Sequence, residues 1–384
     1  ATMLARTFKR ATMPGWTMEQ DASYPLNYTK PAPFADDAQI ALWAKDSVYF
    51  MAANGIIGGV GAVIVFLPNI MILYLFISFM EDSGYLARAA FIMDRVMHRI
   101  GLHGKSFIPL IMGFGCNVPA IMASRTIESR SSRLITILIT PFMSCSARIP
   151  IYLLLAGTFF AADASMVMIG LYVLGVVLAV VTARLMRRFM FPVDETPFVM
   201  ELPPYRLPTW KTTLTHMWDK CAQYLRKMGG MILIASMVVW FLSYYPRSEE
   251  GGTAAHYENS YLGRLGQSCA PVFTPLGLNW KAGVALLSGV PAKEIVVSTL
   301  GVLYSQDATA DDASLAQTLR ESGDFTPASA LAFLVFVLLY FPCIATIVAV
   351  RNEAGRGWAL ASMVYSTAVA WFVAWIVYHI ALLL

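Results

Sequence analysis

The chain has 384 residues, 57% of them hydrophobic and only 14% charged, whereas an average soluble domain carries about 25% charged residues. That balance excludes a soluble globular protein, and repeated charge-free stretches of about twenty residues read as transmembrane helix. Five scattered cysteines exclude a disulfide framework or a paired zinc motif, and the net charge of +4 matters less than its distribution.

Residues 1–46 are polar and hold five basic and five acidic side chains. Residue 1 is alanine and no apolar signal core follows it, so a fragment or a processed product is expected. Eight apolar segments come next, roughly 51–80, 106–124, 134–160, 165–183, 228–246, 282–304, 326–350 and 357–384. If all eight crossed the bilayer, the basic linker 184–227 and the acidic loop 305–325 would share a side, against the positive-inside rule. If 106–124 and 282–304 are instead re-entrant hairpins, loops 81–105, 125–133, 184–227 and 351–357 share one side with a summed charge of +8. Loops 161–164, 246–281 and 305–325 then share the other, at −5. This asymmetry predicts an all-α polytopic protein of about six transmembrane helices and two re-entrant hairpins, with the first set of loops in the cytoplasm. Residues 1–46 and the C-terminus would face outward.

The expected organisation is an outward segment 1–46, a first membrane half 47–183, a basic linker 184–227 and a second half 228–384. Each half reads as one span, one hairpin and two spans, starting from opposite faces, which is an inverted repeat of the kind many secondary transporters use. Within the linker, Leu214, Trp218, Cys221 and Leu225 recur near helical spacing among Lys211, Lys220, Arg226 and Lys227. They predict an amphipathic helix, either on the inner leaflet or packed on the membrane domain.

The halves share one odd pattern. Gly115-Cys116-Asn117-Val118-Pro119-Ala120 interrupts the first hairpin, and Gly289-Val290-Pro291-Ala292-Lys293-Glu294 the second. A proline near a cysteine follows in the next span of each half: Pro141 and Cys145, then Pro342 and Cys343. Glycine and proline at membrane depth free backbone groups, which hydrocarbon tolerates only where they line a cavity. Matching breaks in two halves point to a substrate site.

Three stretches carry a resemblance: Glu81-Asp82-Ser83-Gly84-Tyr85-Leu86-Ala87-Arg88, Gly113-Phe114-Gly115-Cys116-Asn117-Val118-Pro119, and Pro141-Phe142-Met143-Ser144-Cys145-Ser146-Ala147-Arg148-Ile149-Pro150. Together with Glu201-Leu202-Pro203-Pro204-Tyr205 and Ala292-Lys293-Glu294-Ile295-Val296-Val297, they resemble the membrane domain of the FeoB family of bacterial ferrous iron transporters, from about residue 50 to the end. The resemblance implies two gate-type repeats and Fe2+ uptake across a bacterial inner membrane, with Fe2+ as cargo and no permanently bound cofactor. The family's N-terminal GTP-binding domain has no counterpart here, and no Gly-x-x-x-x-Gly-Lys-Ser/Thr loop occurs. A GTP-binding partner supplied separately, a small FeoA-like partner and a homo-oligomer are expected; an enzyme and a nucleic-acid binder are not.

Ferrous iron accepts thiolate, imidazole, carboxylate and carbonyl ligands. Cys116 at the first hairpin tip, flanked by Gly113, Gly115 and Pro119, is a candidate ligand, and Asn117 adds an oxygen. Cys145 with Ser144, and Cys343 in the matching place, are further candidates. Glu294 beside Pro291 and Lys293 either binds iron or pairs with Lys293 as a latch; Arg148 anchors a hairpin through free carbonyls or counters Glu81 or Glu294. Glu81 and Asp82 would receive the ion at the cytoplasmic exit or cap a helix there. Cys221 and Cys269 read as incidental, and Asp307, Asp311 and Asp312 as a solvated loop. The alternatives are a nucleoside or organic-solute carrier on the related gate fold, which would favour aromatic and amide groups at the tips, and a non-transporting scaffold for a separate GTPase.

Overall fold

A computed structural model describes residues 56–191, 208–226, 230–246, 258–304, 312–341 and 343–383. The expected outward segment 1–46 lies outside these residues, as do Asp307, Asp311 and Pro342. No strand occurs among the described residues. The first half comprises α1 (Ile56–Asp82), α2 (Tyr85–Ile100), α3 (Phe107–Gly115), α4 (Asn117–Ala123), α5 (Arg130–Ile139), α6 (Ile149–Phe159) and α7 (Ala164–Phe189). After α8 (Trp210–Tyr224), the second half comprises α9 (Gly230–Tyr244), α10 (Tyr261–Phe273), α11 (Trp280–Ser288), α12 (Ile295–Tyr304), α13 (Asp312–Glu321), α14 (Pro327–Leu339), α15 (Ile344–Ala354) and α16 (Arg356–Leu383).

Four stretches are long and apolar enough to cross a membrane: Arg130–Phe159, Ala164–Phe189, Pro327–Ala354 and Arg356–Leu383. A fifth is counted if the end of α1 and α2, bent by 79°, form one span. That bend falls at Gly84, whose φ of 77° is the left-handed region that glycine reaches without a Cβ clash. The remaining expected span, α9, holds 15 residues, short of the ~20 that cross alone. The broken stretches α5–α6 and α14–α15 are the centre, 72% and 71% buried, whereas α7 and α16 are 22% buried and form the periphery. Every large apolar side chain that α7 leaves exposed, such as Ile169, Val173, Val177 and Val181, suits lipid contact.

The hairpins fold as the charge pattern expects. α3 and α4 pack on each other, as do α11 and α12. Lys105, before α3, reaches Glu128 at 2.7 Å, and Arg125, after α4, pairs with Glu353. Arg184 donates to the Arg99 carbonyl at 2.7 Å, and Arg187 to the Gly101 carbonyl and the Ser132 hydroxyl, both at 2.6 Å. Loops 81–105, 125–133 and 351–357 and the start of the linker therefore meet on one face, and the first hairpin enters and leaves there. On the opposite face Asn279, which caps α11, donates to the Tyr304 hydroxyl at 3.1 Å, joining both ends of the second hairpin. Lys281–Asp324 at 3.1 Å, Arg320 on the Thr158 carbonyl and Trp371 on the Val272 carbonyl belong to the same face.

The Lys105 partner holds the Glu128 carboxyl below the usual carboxylate range. A depressed carboxylate contributes stability above its unfolded value and loses it as pH falls through the lowered one. Glu128 is 62% exposed, so Glu128→Gln is expected to shift Tm by no more than about 1 °C in a thermal melt.

The two long breaks have local causes. α5 ends in the turn Thr140–Phe142 with Pro141 at its start, Met143 and Cys145 are extended, and Pro150 opens α6, where its missing N–H costs nothing. α14 begins with a capping box between Thr326 and Ser329 and stops at Tyr340, which is extended; Cys343 then precedes α15.

Candidate functional site: where four chain breaks meet

The first hairpin turns on one residue. Cys116 is extended (φ −152°, ψ 132°) between two helices. Its tip docks on the break of α5–α6, where the Ser146 hydroxyl donates to the Gly115 carbonyl at 3.1 Å. Gly113 allows that approach, since a Cβ there would lie 2.9 Å from Met143 Cβ. The second tip docks likewise on the break of α14–α15: Ile344 N–H donates to the Val290 carbonyl at 3.0 Å. Tyr340 O–H donates to the Leu286 carbonyl at 3.3 Å. Each hairpin tip is thus seated on the interrupted span of its own half. Gly289→Ala would place a Cβ 2.4 Å from Val296 Cγ2 and 2.9 Å from the Tyr340 hydroxyl. It is expected to cost about 1–3 kcal/mol of stability, read as a lower Tm, and to reduce transport.

Two buried basic side chains hold the freed backbone. Arg148, fully buried, donates from Nη1 to the Met143 carbonyl and from Nη2 to the Pro141 carbonyl, both at 3.1 Å. The expected anchoring role is met within its own span rather than on a hairpin. Lys293, 2% exposed, donates to the Phe341 carbonyl at 3.0 Å and lies 2.8 Å over the Tyr340 ring. Among the described residues it forms no ion pair with Glu294.

The four breaks bring the candidate ligands into one region. Cys116 and Cys343 pack against the same apolar cluster, and the bonds Ser146–Gly115 and Ile344–Val290 seat the two tips beside Cys145 and Cys343. Cys116, Cys145 and Cys343 are all half-buried. Asn117 is 4% exposed and its Oδ1 has no hydrogen-bond partner. Ser144 is turned to the Tyr152 hydroxyl at 3.2 Å, and Cys343 to the Thr346 hydroxyl at 3.3 Å. Pro119 and Pro291 are buried at the two tips. Among the described residues no three His, Cys, Asp or Glu side chains form a ready-made metal cage.

Glu81 and Asp82 stand apart from this centre, bound to α8. Lys220 pairs with Glu81, while Thr213 and His216 bond to Asp82 at 3.3 and 3.1 Å. A cavity of about 550 Å³ begins beside Glu81, Lys105, Arg125 and Lys220 and reaches Met112 and Pro119 at the first hairpin. Helix α8 is more than a surface element. Thr213, Met217, Cys221 and Tyr224 are buried, and the last three join a cluster with Tyr74, Val118 and Ile121 against which Cys116 packs. Trp210, Leu214 and Trp218 remain exposed along its adjacent flank. Of the expected apolar stripe Leu214, Trp218, Cys221 and Leu225, Cys221 is buried beside this centre while Leu214 and Trp218 are exposed; the buried flank runs through Met217 and Tyr224, four residues before and three after Cys221.

The gate family described as "Nucleoside recognition" matches residues 63–159 and 225–357, and the family described as "Ferrous iron transport protein B C terminus" matches 168–220. The chain is 55% identical to a Fe(2+) transport protein A/Fe(2+) transporter FeoB fusion protein of Porphyromonas gingivalis, over 87% of this chain and 44% of that protein. It is 44% identical to Fe(2+) transporter FeoB of Campylobacter jejuni, over 86% and 55%. Against Fe(2+) transporter FeoB of Methanocaldococcus jannaschii it is also 44% identical, over 85% and 49%. The chain spans about half the length of these relatives. No solved structure matches it significantly.

Proposed function

The chain belongs to the FeoB family as its gate-type membrane part, and we propose that it forms the path by which ferrous iron crosses a bacterial inner membrane. The observation that carries this reading is that the two hairpin tips, which bear Cys116 and Glu294, rest on the two broken spans, which bear Cys145 and Cys343. Thiols and a carboxylate suit Fe2+. The unpartnered Oδ1 of Asn117 supplies one more acceptor. Incomplete ligation suits a cargo that has to leave. The cavity that runs from Met112 and Pro119 of the first hairpin toward Glu81 would serve as the exit, on the face whose loops sum to +8 and which the positive-inside rule makes cytoplasmic.

The description of the matched gate family keeps a nucleoside carrier as the second reading. Thiols and a carboxylate, present beside the Asn117 amide and the Tyr340 ring, favour iron. A FeoA-like partner is in keeping with the name of the fused Porphyromonas relative, and a GTP-binding partner supplied separately and a homo-oligomer remain part of the proposal. The test is anaerobic Fe2+ uptake by the chain reconstituted in liposomes, with labelled nucleoside as the competing cargo. Cys116→Ser and Cys145→Ser are each expected to lower Fe2+ uptake at least tenfold with Tm unchanged. Wild-type uptake by both variants would remove the thiols from the path, and nucleoside uptake would replace the cargo.

A further inference from the structure

On each face of the molecule an arginine that follows a hairpin reaches the last turn of the other half's broken span. After the first hairpin, Arg125 in the turn Ser124–Thr126 reaches Glu353 in the last turn of α15, the second arm of the other half's broken span. After the second hairpin, Arg320 in the last turn of α13 reaches the Thr158 carbonyl in the last turn of α6, the corresponding arm of the first half. Packing beneath has the same reciprocity, α4 against α15 and α12 with α13 against α6. The entry of each hairpin is pinned separately and within its own half, by Lys105–Glu128 and by Lys281–Asp324.

Arg320 binds a carbonyl in the last turn of a half-helix of the opposite repeat, and Arg125 a carboxylate in the last turn of its counterpart, both at the negative end of the helix dipole. At Glu353 a carboxylate adds to that negative end although its side chain is only 9% exposed, an arrangement that is costly without a cation. Arg125 Nε lies 2.8 and 2.7 Å from the two carboxylate oxygens and its Nη2 binds Oε1 as well, the fork geometry of a strong charge-assisted pair. Arg125 also lines the cavity that runs to Met112 and Pro119, so releasing it frees one wall of the exit.

We propose that Arg125–Glu353 and Arg320–Thr158 are paired latches that close the path on opposite faces and open one at a time. The basic-face latch, an ion pair rather than a bond to a carbonyl, is the firmer of the two and sets the resting state. This rests on the reading above that the centre at Cys116 is the transit site.

The test measures, by peptide mass spectrometry, how fast a membrane-impermeant methanethiosulfonate modifies Cys116 in right-side-out and inverted vesicles carrying the full chain. Glu353→Gln is expected to raise modification from the basic face about tenfold, and the exchanged pair Arg125→Glu with Glu353→Arg to return it to near the original rate. Arg320→Ala is expected to raise modification from the other face alone. No rise in Glu353→Gln, a rise that the exchanged pair leaves in place, or equal rises on both faces in Arg320→Ala would overturn the latches. If Glu353→Gln does not accumulate, Arg125→Lys carries the same test, because it keeps the charge and loses the fork. It should give an intermediate rise, and no rise would count against the proposal. Sided modification without Fe2+ uptake would leave the latches standing and remove iron as cargo; uptake with unaltered modification would do the reverse.

Discussion

Arg148→Ala is expected to leave little folded protein in the membrane. The guanidinium is fully buried and holds the carbonyls of Pro141 and Met143, which the break of α5–α6 deprives of helical partners. In a fully buried position no bulk water replaces it. Each carbonyl left unpaired costs ~1–3 kcal/mol, and the cavity left by so large a side chain adds to that. Against this stands the relief of no longer burying a guanidinium whose Nε has no partner. The deletion removes at least two satisfied bonds and the packing of the whole stem. The net loss is a large fraction of the 5–15 kcal/mol that holds a typical domain together. Size-exclusion profiles and thermal melts of the purified chain measure it. Arg148→Lys, which reaches one carbonyl at a time, should fall between the two. A melt of Arg148→Ala that matches the unaltered chain would show that the break is held by something else.

The sequence made the interruptions legible because their causes are local. Pro141, Pro150 and the Gly115–Pro119 run disfavour a continuous helix, and the chain leaves helical geometry beside them, at Cys116 and between Phe142 and Ser146, although Pro68 and Pro271 sit inside unbroken helices. The grouping of the loops was legible for a different reason: the charge of the loops is a property of composition, and loops of like charge meet on one face. What depends on tertiary contact was not readable. The stretch 246–281 looked like a loop, yet it contains α10, whose Gly266 allows a close approach to Val284 of α11. Cys221 looked incidental because nothing in the linker shows which flank of α8 faces α1. The reach of Arg125 to Glu353 crosses 228 positions, beyond any periodicity. Lys293 and Glu294, neighbours in sequence, suggested a pair; the fold turns the lysine to Phe341 instead.

Lys293→Met should separate function from stability where Arg148→Ala joins them. The Lys293 ammonium makes one hydrogen bond, to the Phe341 carbonyl, and lies over the Tyr340 ring. A methionine of similar length keeps the apolar stem in place and removes a costly buried amine, so the loss of one bond at ~1–3 kcal/mol is partly offset. The melt should therefore move only a few degrees. Function should change far more, because among the described residues that bond is one of three that tie the second hairpin to the break where Cys343 and the start of α15 lie, and the one nearest Glu294. With it gone, the Ile344–Val290 and Tyr340–Leu286 bonds are left to hold the hairpin to the break. Fe2+ uptake in liposomes is expected to drop at least tenfold at nearly unchanged Tm, whereas Lys293→Arg, which still donates to the carbonyl, should retain part of it. Full uptake in Lys293→Met would mean that the second tip need not be held to its broken span for the ion to pass, and the second half would then act only as a scaffold for Cys116 and Cys145.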